Sequence, residues 1–73
     1  MTLSRVRYAV FQTIYDKPGM SGPALAALLY PNISEAVALN RLYANISYIN
    51  MLLDGTGMRI AGHNSLGYRV VAV

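Results

Sequence analysis

The sequence predicts a small α+β domain in which three helices are followed by a C-terminal β-hairpin. Two observations predict it: apolar residues recur every three or four positions as far as Leu53, and beyond Gly57 the period drops to two. A third is punctuation, since Asp16-Lys17-Pro18-Gly19, Pro31 and Asp54-Gly55-Thr56-Gly57 stand where each periodic segment ends. The 73 residues suffice for one core and not for two, because a domain this short buries only roughly 60% of its unfolded surface.

Helix one is expected over 3–15, with the Thr2 hydroxyl accepting from a free amide of the first turn. Val6, Val10 and Ile14 recur every four residues with Phe11 beside them and form its core stripe, while Arg5, Gln12 and Asp16 look outward. Helix two is expected over 22–30. Ser21 caps it, Pro23 fits its first turn, Leu25, Leu28 and Leu29 supply its apolar face, and Pro31 stops it. Ser34 and Glu35 open helix three, expected over 35–53. At roughly 100° per residue, Leu39, Leu42, Ile46, Ile49 and Leu53 fall within about 80° of one another and form a buried stripe. The opposite face carries Ala36, Val37, Asn40, Arg41, Ala44, Ser47, Tyr48 and Met51.

Two strands are expected over 58–61 and 67–73, where Met58 and Ile60 alternate with Arg59 and Ala61, and Tyr68, Val70 and Ala72 alternate with Arg69, Val71 and Val73. Residues 62–67 form their turn. A further short strand at Met20, framed by Gly19 and Ser21, is expected to pair with the hairpin. Three helices and then a hairpin is the order of a winged helix-turn-helix, in which the hairpin packs on the end of the bundle and its loop projects as the wing.

Composition narrows the function classes. Hydrophobic residues are 55% of the chain and charged ones 12%, which excludes disorder and leaves apolar surface to meet a partner or a second copy. The lack of cysteine excludes disulfides, thiolate chemistry and zinc fingers, and points to a reducing, cytoplasmic compartment. Neither a signal peptide nor a membrane-spanning run is read. The net charge of +3 favours polyanions through long-range attraction. His63 is the sole histidine and has no second ligand at metal spacing, and Asp16, Glu35 and Asp54 sit at expected helix ends, where capping or dipole interactions account for them. No catalytic group, metal, cofactor or small-molecule substrate is therefore expected.

The sequence also resembles the winged-helix effector domain of response regulators of the OmpR/PhoB type, over nearly its whole length. Thr2-Leu3-Ser4 resembles the family's capping start, Lys17-Pro18-Gly19-Met20-Ser21 its turn into helix two, and Leu28-Leu29-Tyr30 that helix's ending. The run from Asn45 to Leu53 resembles its recognition helix, and Leu66-Gly67-Tyr68-Arg69-Val70 its closing Gly-Tyr-Arg strand. The resemblance implies that helix three lies in the DNA major groove and that the wing reaches the adjacent minor groove. The chain departs from the family in having Arg41 as the only cation of helix three, in having Ala61 where an arginine commonly stands, and in bringing no receiver domain.

The leading expectation is a small DNA-binding regulator of transcription. Asn40, Arg41, Asn45, Ser47, Tyr48 and Asn50 offer groups that read bases and phosphates, although a solvated polar face explains them equally well. Arg59, His63, Asn64 and Arg69 place donors around the wing, and Arg5 and Arg7 stand near the start of helix one. Tyr68 is read as core, packed beneath the wing with its hydroxyl at the edge. A second reading is a protein-binding winged helix that docks on RNA polymerase or another transcription protein through Ala36, Val37, Ala44, Tyr48 and Met51. A third is a homodimer paired through 70–73.

Overall fold

The computed structural model describes residues 5–63 and 66–73, His63 by its backbone only. Three helices, α1 (Arg5–Asp16), α2 (Gly22–Leu29) and α3 (Glu35–Leu53), precede two antiparallel strands, β1 (Met58–His63) and β2 (Gly67–Ala72). This is the layout of a small α+β winged helix-turn-helix. The expected Thr2 cap lies outside the described residues. α2 and α3 begin as their sequences dictate, on serines held in extended geometry: the Ser21 hydroxyl accepts from the Ala24 amide at 3.3 Å and the Ser34 hydroxyl from the Val37 amide at 3.4 Å. α3 ends where Thr56 folds back, its amide and hydroxyl both donating to the Leu53 carbonyl.

The core is built from all five elements. Val10 and Ile14 of α1, Leu25 of α2, Leu42, Ile49 and Leu53 of α3, Ile60 of β1 and Tyr68 of β2 are buried together. The register pairs Ile60 with Val70 and Gly62 with Tyr68 on the inner face, leaving Arg59, Ala61, Arg69 and Val71 on the other. The short strand expected at Met20 is a single bridge to Tyr68, closed by Tyr68 N–H donating to the Met20 carbonyl at 2.9 Å and Gly19 N–H donating to the Tyr68 carbonyl at 2.8 Å. At this junction Gly67 has φ +89° and lies so close to the Gly19 carbonyl that a Cβ would overlap it. The glycine of Gly-Tyr-Arg is required by both backbone conformation and space.

Several expectations are corrected. Val6 is not part of α1's core stripe but is 55% exposed, although Val10 and Ile14 on the same stripe are fully buried. α2 ends at Leu29, within a residue of expectation, but it turns Leu28 of its expected apolar face outward at 48% exposure. In α3 the buried stripe takes Ala38, while Leu39 is half-buried at its margin. β1 runs two residues beyond the expected end, so His63 is paired with Gly67 in the ladder and not part of the turn. Asp16 and Asp54 end α1 and α3 at the negative pole of the helix dipole, so dipole stabilisation does not explain them. Asp16 instead accepts from Gln12 Nε2 at 3.0 Å. Glu35 does fit the dipole, in the first turn of α3.

Candidate nucleic-acid interface

α3 buries one side through Ala38, Leu42, Ile46, Ile49 and Leu53. At roughly 100° per residue the other side must face out. Asn40, Arg41, Ala44, Ser47, Tyr48 and Met51 are all exposed, Met51 at 62%. They cover an outward arc of about 120° on the helix. Its centre is apolar, because Val37, Ala44 and Met51 follow one another at seven-residue spacing; its polar groups stand at the two margins.

Each margin is bordered by another element. On one side the Asn50 carboxamide accepts from the Ile60 amide at 2.7 Å and donates to the Ile60 carbonyl at 3.0 Å. Asn50 is therefore no base reader. It satisfies the outer edge of β1 as a neighbouring strand would, and so fixes the hairpin against α3. On the other side Arg7 of α1 lays its guanidinium over the Tyr48 ring, 3.7 Å from the centroid. From the sequence Arg7 reads as an exposed cation near the start of helix one, and this stack, which joins residues remote in sequence, is not legible there. Asn45 is also occupied, its Nδ2 donating to the Tyr30 hydroxyl at 2.7 Å. Two of the expected base-reading groups thus serve the fold, leaving Asn40, Arg41, Ser47 and Tyr48, its ring under Arg7, as the polar groups of the arc.

The hairpin carries a second set of cations. Arg59 and Arg69 are exposed and share the outer face, where the register makes them diagonal neighbours on the order of 7–8 Å apart. Neither strand carries an Asp or Glu, and the nearest acidic side chain in the sequence, Asp54, lines the groove at the end of α3 together with Arg59. The backbone of His63 continues the same face, and Asn64 lies outside the described residues. Tyr68 is 8% exposed, as its core assignment requires. Burial, and then the neighbouring Tyr43, raise its phenol pKa above the ordinary value.

Among the described residues, no three His, Cys, Asp or Glu side chains gather as a metal site, and no helix is long and apolar enough to cross a membrane. No protein-family model matches this sequence, and neither a curated protein nor a solved structure matches it.

Proposed function

We propose that the protein is a small, non-catalytic DNA-binding regulator of transcription that works in the cytoplasm as a counterpart of the OmpR/PhoB effector domain. α3 enters the major groove and the hairpin lies against the neighbouring backbone and minor groove. The observation that carries this reading is the placement of cations on both sides of α3's outward arc. A helix in the major groove runs between two phosphate backbones, and here Arg7 and Arg41 stand at one margin while Arg59 and Arg69 stand on the hairpin at the other. Of the stretches that resemble the effector family, those on α3 and β2 fall on elements that build this surface, those at the turn into α2 and the end of α2 fall beside it, and Thr2-Leu3-Ser4 lies outside the described residues.

Four neutralised phosphates give a salt slope of roughly −3.6, a modest sequence-independent attraction. Arg41→Ala with Arg69→Ala is expected to weaken binding to a mixed-sequence duplex and to make the slope shallower by about 1 for each arginine removed. Titrations by anisotropy at several salt concentrations measure both; unchanged affinity and slope overturn the proposal.

One observation favours a second reading. The centre of the arc is a straight apolar line of Val37, Ala44 and Met51, the geometry of a helix seam that packs on another protein. In this reading the chain docks on RNA polymerase or another transcription protein. Val37→Asp and Met51→Glu would then abolish the complex and leave the fold intact.

A further inference from the structure

We infer that the groove between the first half of α1 and the end of α2 is a docking site for an acidic amphipathic peptide segment of a partner protein, separate from the outward arc of α3. The groove encloses about 410 Å³, within the range of ligand clefts. Its apolar surface comes from Val6 and Ala9 of α1 and from Leu29 and Tyr30 at the end of α2, and Arg5 and Arg41 stand on its walls. Val6 is exposed there while the two residues that follow it on the same stripe are sealed in the core. The Tyr30 wall is fixed, because its hydroxyl holds the hydrogen bond from Asn45.

Charge selects the occupant. All three carboxylates of the chain lie elsewhere: Asp16 is bonded to Gln12, Glu35 lines a different groove at the start of α3, and Asp54 lines one at its end. This groove therefore presents two exposed guanidiniums around an apolar floor, without an internal counter-charge. DNA answers the arginines but buries none of the floor. Residues 1–4 carry no carboxylate, and a second copy offers only isolated ones. A segment with a leucine or phenylalanine anchor between aspartates or glutamates answers both features. Arg41 also belongs to the margin of α3's arc, so a peptide seated here sits beside bound DNA and not in its place.

The test uses the full chain and two labelled synthetic peptides, one with leucine and phenylalanine at helical spacing between aspartates, the other with lysines replacing the aspartates. The acidic peptide is expected to bind and to shift the backbone amide signals of Val6, Ala9, Leu29 and Tyr30, with the basic peptide weaker by about tenfold or more. Val6→Glu and Ala9→Glu are each expected to weaken the acidic peptide at least about tenfold. Equal binding of both peptides, no binding, or shifts confined to Val37, Ala44 and Met51 overturns the inference. So does a concentration-dependent shift of the groove amides without peptide, which assigns the groove to a second copy. Should a glutamate variant unfold, the amide map of the unaltered chain decides. Loss of DNA binding with peptide binding intact removes the proposed function and leaves this inference standing; the reverse result removes this inference alone.

Discussion

A carboxamide carries the same donor and acceptor as a peptide group, which is why Asn50 can stand in for a strand at the outer edge of β1. Its two bonds to Ile60 satisfy main-chain groups that otherwise have to be desolvated without partners. Asn50→Ala leaves both unpaired and is expected to cost about 1–3 kcal/mol. Urea denaturation measures this, and hydrogen exchange localises it: the Ile60 amide should lose protection before the core of α3 does. Equal protection in both proteins would show that water replaces the side chain at no cost. Asn45 makes the parallel case, since its bond to Tyr30 ties α3 to the end of α2.

At the scale of the element, α3 depends on its start. Ser34 satisfies the Val37 amide, and Glu35 adds a negative charge at the positive end of the helix. Ser34→Ala is expected to lower stability by about 1 kcal/mol, and Ser34→Asp to retain most of it. Thermal unfolding of the pair checks this; an equal loss in both variants would remove the capping explanation. α1 behaves differently along its length. Its second half is sealed by Val10 and Ile14, whereas in its first half Arg7 stacks on Tyr48 of α3 and Val6 is left exposed beside the groove. That division is why one helix contributes both to the core and to the two proposed binding surfaces.

For the molecule as a whole, Tyr68 is the point where β2, the Met20 bridge and the core meet. Burial favours its neutral phenol, so its folded pKa lies above the unfolded value of about 10. The stabilisation this provides is complete below the unfolded pKa and is lost as pH rises through the folded one. Stability measured between about pH 8 and about pH 11 should therefore decline in the alkaline limb, and Tyr68→Phe should decline less steeply. An identical alkaline decline in Tyr68→Phe would assign the effect to the other tyrosines.

How much of this was legible in the sequence depends on the range of the signal. The bounds of α2 and α3 were readable to within a residue, because serine caps, glycines and prolines act on their immediate neighbours. The outward arc of α3 followed from the position of its buried stripe, since a helix has one period and two sides. The Met20 bridge was readable from its flanking residues, and Gly67 was marked by its motif before its close approach to Gly19 gave the reason. Periodicity could not reveal that Val6 escapes burial, because that depends on how much of α1 the short α2 covers.

Local residue choice determined the element order, the caps, the strand alternation and the free side of α3. Only tertiary structure decided that Asn45 and Asn50 are spent inside the fold, that Arg7 leans on Tyr48, and that Arg5 and Arg41 meet around an apolar groove. The physical reason is distance along the chain: periods and caps are written in neighbouring residues, whereas a polar side chain's partner is chosen by which remote backbone or ring packing brings within reach.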